Sequence, residues 1–184
     1  MAPKSVKTSI GIIIFPIFCL LFSFFILMTD PVFTYLFLEN PQSVEPTKQL
    51  FKYFAGTGQM PAMFNLEEKA HLKDVALVMR GAFLLFVLVT LALLSLKQYR
   101  QSIRQGTILL LIIIALLILI PFDSLFTGFH KIVFPQGGWI FSPESTLIQF
   151  YPMKLFATST FAIVIHSLIT AFFLNYLEIV SRRG

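Results

Sequence analysis

The sequence predicts a mainly α integral membrane protein: a four-transmembrane-helix bundle with a small extracellular cap of short helices and room for one β-hairpin. Three observations carry this. Apolar residues make up 57% of the 184-residue chain and charged residues only 12%, against about 45–50% and ~25% in soluble domains. The apolar residues collect into four runs near the ~20 residues needed to cross a ~30 Å hydrocarbon core. Basic residues gather at the ends of those runs. The length suits one unit, a single membrane domain over 1–184.

The first run, about 10–28 (IGIIIFPIFCLLFSFFILM), contains Pro16, where a kink is expected. Its end, LMTDP, offers no small-x-small cleavage site, so it reads as an uncleaved anchor and not a signal peptide. Segment 29–74 is the first part of the cap. There PTKQLFKYFAG predicts a short helix stopped by Gly56. Asn65 and Glu68 form a capping box, and Glu67 and Glu68 suit the positive end of a helix. That helix is expected to run unbroken into the second span, about 75–96. A basic link, KQYRQSIRQ, leads to the third span, about 106–121. Segment 122–152 completes the cap. Within it Gly137 and Gly138 permit positive φ and a hairpin between KIVF and WIF, while Ser142 and Pro143 read as an N-cap and first helical position. The fourth span lies at about 155–177.

An even number of spans puts both termini on one face of the membrane. Lys4, Lys7, Lys97, Arg100, Arg104, Arg182 and Arg183 crowd that face in short segments. The lysines on the other face are spread through long loops and balanced by acidic residues. That bias makes both termini cytoplasmic and the cap extracellular, in a plasma membrane. The net charge of +5 is therefore an orientation signal and not a nucleic-acid footprint. The lone cysteine, Cys19, lies within the first run, which excludes an intrachain disulfide or a multi-thiolate metal site and suits a packing residue. No glycine-rich phosphate loop occurs, and neither a cofactor nor a metal is expected.

Chemistry concentrates at the outer ends of the spans. His71 lies one turn before the second span and His130 just after the third. His71 and Asp74 share a helix face at i,i+3, so the carboxylate is placed to orient an imidazole base. Asp123, Thr127 and His130 align at i, i+4 and i+7 if helix resumes after Pro121, with Gly128 as the obstacle. Either histidine alone also suits a solvated interfacial side chain. Two at one membrane level, each with an aspartate at helical spacing, favour a site. His166, in mid-span, reads as a packing histidine bonded to a neighbouring helix. Arg80 sits inside the second span and either snorkels outward or pairs with a carboxylate or a lipid oxygen. Trp139, the single tryptophan, suits a membrane interface, and the glycine turn before it could present N–H groups to an oxyanion.

Together EEKAHLKDV and GFHKIVFPQGGWIFSPESTLIQFYP resemble the lipoprotein intramolecular transacylase family, Lit, of low-GC Gram-positive bacteria. The matching positions are Glu68, His71, Asp74 and Val75; Phe129, His130 and, one place late, Phe134; Gly137 or Gly138 with Trp139; and Leu147, Ile148, Tyr151 and Pro152. The late phenylalanine and the leucine after His71 depart from the family pattern without touching the histidines. The resemblance implies an acyltransferase that moves the sn-2 acyl chain of a diacylglyceryl-modified N-terminal cysteine onto that cysteine's α-amine. It implies His71 and His130 as catalytic residues, with Asp74, Trp139 and Tyr151 in support; Arg80 and Asp123 join the supporting set on their own placement in the sequence. The partners would be a diacylated lipoprotein and membrane lipid, without nucleic acid, and the chain would act as a monomer. The residues alone leave two other readings open: a metal-binding membrane protein, and a four-helix scaffold without acyl transfer.

Overall fold

The computed structural model describes residues 6–29, 31–96 and 99–181, without the side chains of 31–33, 99 and 100. Expectations resting on Lys4, Asp30, Lys97, Arg182 and Arg183, and on the Arg100 side chain, lie outside the described residues. The described chain is helical: α1 (Val6–Thr29), α2 (Pro31–Leu36), a 3-10 turn (Pro41–Ser43), α3 (Val44–Phe54), α4 (Leu66–Ser95), α5 (Tyr99–Ile118), α6 (Phe122–Val133), α7 (Thr146–Phe150) and α8 (Met153–Val180). Helices α1, α4, α5 and α8 are long and apolar enough to cross a membrane. Large apolar side chains such as Leu84, Leu88 and Leu91 stand exposed along α4. Such a surface suits hydrocarbon, where a helix satisfies its backbone internally and needs no polar face.

The chain forms two compact units. The first comprises Met1–Ile26, Phe83–Leu119 and Phe161–Gly184. Its core is Phe15, Cys19, Leu110, Ile114 and Ala171, with Leu93 and Val164 packed against it. The lipid tails around a membrane bundle are as apolar as its core, so close packing and interhelical hydrogen bonds hold it. Both are present. A Cβ on Gly106 would stand 2.8 Å from the Phe15 side chain, so α1 and α5 meet where α5 has no side chain. The Asn175 amide on α8 donates to Thr107 Oγ1 on α5 at 2.5 Å. His166 Nδ1 lies 2.9 Å from Ser23 Oγ, which makes it the interhelical packing histidine that its mid-span position predicted. Cys19 is wholly buried in the core. Helix α1 continues as α-helix through Pro16.

The second unit comprises Leu27–Ala82 and Ile120–Thr160. Its core is Leu50, Phe64, Leu72, Leu147 and Phe150. Helix α3 ends as its sequence predicts. Gly56 adopts φ +78°, its N–H bonds Tyr53 O and the Thr57 N–H bonds Lys52 O, the paired bonds of a Schellman stop. Lys154 Nζ donates to Glu39 Oε1 at 2.5 Å, tying the start of α8 to the segment after α2.

Three local expectations are corrected. The third span stops at Ile118 instead of 121, and helix resumes at Phe122 with Pro121 in extended geometry as N-cap. Proline disfavours helical geometry in the residue before it, which sets this break, while Gly128 is accommodated inside α6. No hairpin joins KIVF and WIF: residues 131–133 finish α6, and the described residues contain no strand. Ser142 does not cap a helix. Its carbonyl accepts the Ser145 N–H across a turn holding Pro143, and Ser145 caps α7 through its hydroxyl and the Ile148 N–H at 3.3 Å.

The contact at Gly106 yields a prediction. Gly106→Ala overpacks a filled interface, at a cost of about 1–3 kcal/mol. In detergent its unfolding midpoint should fall by roughly 2–10 °C, read by a thermal shift on the purified protein; an unchanged midpoint would contradict the close approach.

Candidate active site

The site is built on the first turn of α4. Asn65 Oδ1 accepts the Glu68 N–H at 2.9 Å and Glu68 Oε2 accepts the Asn65 N–H at 2.8 Å, closing the capping box expected from sequence. Glu68 is only 1% exposed. Its other oxygen, Oε1, accepts the Leu147 N–H at 2.8 Å. One buried carboxylate thus satisfies N–H groups at the N-terminal ends of two helices, α4 and α7, where the helix dipoles also favour negative charge. The bond to Leu147 explains the register of α7: with Glu68 on the second N–H and Ser145 on the third, the helix starts at Thr146 and not at Pro143.

His71 follows Glu68 by three residues. Residues 66–74 carry five charged side chains, so the apolar stretch of α4 starts at Val75 and His71 precedes it. The imidazole is 8% exposed, and its Nδ1 is buried without a hydrogen-bond partner. Phe134 lies 5.0 Å and Phe141 5.6 Å away between ring centroids. Burial is the main cause that pulls the His71 pKa from 6.5 down to about 4; the neighbouring His130 lowers it further and Asp74 opposes. At neutral pH His71 is an uncharged imidazole with a free polar atom.

His130 faces it from α6, with ring centroids 6.2 Å apart and planes 29° from parallel. His130 Nδ1 lies 2.8 Å from the Phe126 carbonyl oxygen, one turn earlier on α6. A carbonyl only accepts, so Nδ1 carries the proton and the neutral ring keeps its lone pair on Nε2. Tautomer and ring orientation are therefore set by the helix backbone. Trp139 stands against His130 at 5.0 Å.

The supporting residues divide. Asp74 Oδ2 accepts from the Gln136 side chain at 3.0 Å and makes no hydrogen bond to His71, on which it acts only through its charge. Asp123 is exposed in the first turn of α6, where a carboxylate favours the helix dipole; the Phe126 carbonyl, not Asp123, engages His130. Arg80 donates from Nε to Phe54 O and from Nη2 to Tyr53 O, each at 3.1 Å. It holds the carbonyl end of α3, where a cation suits the dipole. The Tyr151 hydroxyl lies 2.9 Å from Thr47 Oγ1, and that hydroxyl donates to Ser43 O at 2.6 Å. Tyr151 is therefore the donor, and burial raises its pKa, keeping the phenol protonated. The sequence reading missed Phe126 and Gln136. The first had a signal, since residue i−4 of a helical histidine presents its carbonyl; the second had none. Among the described residues no three His, Cys, Asp or Glu side chains cluster as metal ligands.

Two predictions follow from this geometry. Glu68→Ala removes two charge-assisted hydrogen bonds and should destabilise the protein by about 3–5 kcal/mol, loosening α7 first. Hydrogen exchange at Leu147 and Ile148 would then rise before that of α4; simultaneous opening would show that the link does not act locally. The second concerns pH. The folded-state value for His71 lies below the ordinary 6.5, so the unfolded chain binds more protons between about pH 6.5 and about pH 4. Stability is fully present above that window and is lost as pH falls through it, by a total of about 3 kcal/mol. The unfolding midpoint of His71→Leu should therefore vary less on acidification than that of the wild type, and identical pH slopes would refute the assignment.

The profile of the family described as Lipoprotein intramolecular transacylase Lit matches residues 6–156. A curated relative, an uncharacterized protein of Aquifex aeolicus (strain VF5), is 25% identical over 126 residues, covering 65% of this chain and 58% of that protein. This chain thus spans a little over half the length of that relative. Among solved structures, the membrane integral lipoprotein intramolecular transacylase Lit from Bacillus cereus has a TM-score of 0.71 at 18% identity, covering 97% of this chain and 96% of that one. A variant of that enzyme with one histidine replaced by arginine gives a TM-score of 0.64 at 18% identity, covering 97% of this chain and 92% of its own. A variant with a histidine replaced by alanine gives 0.63 at 19% identity, covering 97% and 94%. Likeness at these identities establishes a shared fold. The family match runs from α1 into α8 and includes both histidines, and on that ground this chain belongs to the lipoprotein intramolecular transacylase family, Lit, a family of integral membrane acyltransferases.

Proposed function

We propose that this chain moves the sn-2 acyl group of a diacylglyceryl-modified N-terminal cysteine onto the cysteine α-amine, with His130 as general base and His71 as the group that polarises the ester carbonyl. The observation that carries the assignment is the bond from His130 Nδ1–H to the Phe126 carbonyl, which leaves the lone pair on Nε2 of a ring stacked with His71 at 6.2 Å between centroids. Membership of the family supports the lipoprotein substrate.

The steps balance without any cofactor. The free α-amine attacks the ester carbonyl, forming the C–N bond, while His130 Nε2 takes the amine proton. The ester C–O bond then breaks, and the imidazolium returns that proton to the departing glycerol oxygen. The net change is an ester becoming an amide, downhill, so no nucleotide is required. His71 is neutral at the working pH, and in its Nδ1–H tautomer the unpartnered Nδ1 donates to the carbonyl oxygen. Since amine and ester hang from one cysteine, much of the entropy of bringing them together is already lost. Cys19 is wholly buried in the core of the first unit, which favours direct transfer over an acyl-enzyme.

Positive-inside reasoning places both termini in the cytoplasm and the histidine pair on the extracellular side of the plasma membrane. There a lipid-modified terminus can reach it as a monomeric enzyme's substrate. The α-amine has a reference pKa of about 7.7–8.0, so at neutral pH a base is needed to bring it to the free form that attacks.

The test is mass spectrometry of a reporter lipoprotein's N-terminal lipopeptide, in cells lacking other N-acylating enzymes. Wild-type protein should convert the diacylglyceryl form to the N-acyl, lyso-glyceryl form. His130→Ala and His71→Ala should each lower conversion by about 10²-fold or more. An unchanged diacylglyceryl peptide beside well-expressed wild-type protein would sink the proposal.

A further inference from the structure

His130 stands among four aromatic rings. Phe126 lies 4.1 Å away between centroids, Trp139 5.0 Å, Phe129 5.5 Å and Phe134 5.6 Å. No carboxylate among the described residues hydrogen-bonds either histidine: Asp74 bonds Gln136, and Asp123 stands exposed two turns back along α6. The titratable group facing His130 from α4 is His71. Beside it on α6 is the exposed Lys131. The loop from Phe134 to Phe141 presents no titratable side chain, and on the α8 side Phe156 packs on Phe126. A positive charge arising on His130 therefore meets aromatic rings, tilted at Phe126, Phe134 and Trp139 and edge-on at Phe129, and one carbonyl, with no hydrogen-bonded carboxylate among the described residues.

Of the four rings, Phe126 and Phe129 belong to His130's own helix and Phe134 follows directly at its end. Trp139 comes from the loop beyond, and the backbone there is shaped to deliver it. Gly137 and Gly138 have φ +81° and +77° in succession. A Cβ on either would meet nothing within 4 Å. The glycines are required by backbone conformation, which L side chains rarely adopt, and not by crowding.

We propose that Trp139 is a positioning residue for the transfer: its indole face seats the His130 ring and stabilises the imidazolium that forms when Nε2 takes the amine proton. This rests on the reading of His130 as the base. Tryptophan is the strongest cation–π partner, effective within about 6 Å of the ring centroid. As general base the ring gains a proton in the transfer and gives it back at the end. The attraction is therefore stronger near the transition state than in the ground state, the condition for lowering a barrier. The Phe126 carbonyl acts in the same sense, because its bond to Nδ1–H strengthens when the ring is charged.

Trp139 is the single tryptophan, so growth of a tryptophan auxotroph on fluorinated analogues alters this position alone within the chain. Fluorine withdraws density from the indole face with little change in volume. The purified full chain, in detergent micelles, would be assayed on a synthetic diacylglyceryl-cysteine peptide. The rate should fall in steps from natural tryptophan through the mono-, di- and trifluoro analogues, by about tenfold across the series, and Trp139→Phe should retain more activity than Trp139→Leu. A flat series with natural activity intact would overturn the role, since a ring that only packs is indifferent to fluorination. Failure of the natural-tryptophan protein to transfer would instead overturn the transacylase reading, and this role with it.

Discussion

The two oxygens of Glu68 are the point on which the site depends. A buried carboxylate costs several kcal/mol unless its lone pairs are met, and here they are met by backbone N–H groups at two helix starts. One oxygen closes the first turn of α4, which carries His71 three residues later. The other fixes α7, and with it the stretch that ends in Tyr151. Without an acceptor at that point the Leu147 N–H would be buried without a partner, and this tie between α7 and α4 would be lost. Tyr151, Thr47 and Ser43 extend the arrangement as a donor chain that ends on a carbonyl, so the phenol is engaged in structure.

The histidine pair follows a different logic from sites in which a carboxylate orients the base. His130 is oriented by its own helix backbone, and the nearest candidate carboxylate on α4 is taken up by Gln136. This matters electrostatically. A carboxylate in contact would raise the charged fraction of any nearby imidazole or amine, and in the proposed reaction an ammonium could not attack the ester. Around the pair stand apolar rings and a carbonyl, with no carboxylate hydrogen-bonded to either imidazole among the described residues. Arg80 belongs to the structural side of the ledger: its guanidinium finishes the hydrogen bonding of α3.

The first unit meets a separate constraint. With apolar surface facing hydrocarbon on the outside, contacts between helices must come from shape and from buried polar bonds. Gly106 against Phe15, Asn175 with Thr107, and His166 with Ser23 supply both. These polar side chains read in sequence as interruptions of an apolar run, and each proves to bridge two helices.

By itself the sequence determined whatever depends on local chemistry or on period. The four apolar helices, the Asn65–Glu68 box, the stop at Gly56 and the positive φ of Gly137 and Gly138 are such features, because backbone geometry and hydrogen bonds within a few residues fix them. It also singled out His71 and His130. Its errors came where two local solutions were nearly equal. Ser142 and Ser145 could each cap, and Glu68 chose between them from 79 residues away. The glycine turn before WIF suited a hairpin, but KIV belongs to α6. Tertiary structure alone decided which atom each candidate meets: Asp74 Gln136, Arg80 the end of α3, Tyr151 Thr47, and His130 the Phe126 carbonyl and the Trp139 ring. Spacing on one helix puts groups on a common face, whereas these partners, Phe126 excepted, come from other segments, and only packing brings distant segments within hydrogen-bonding or ring-contact distance.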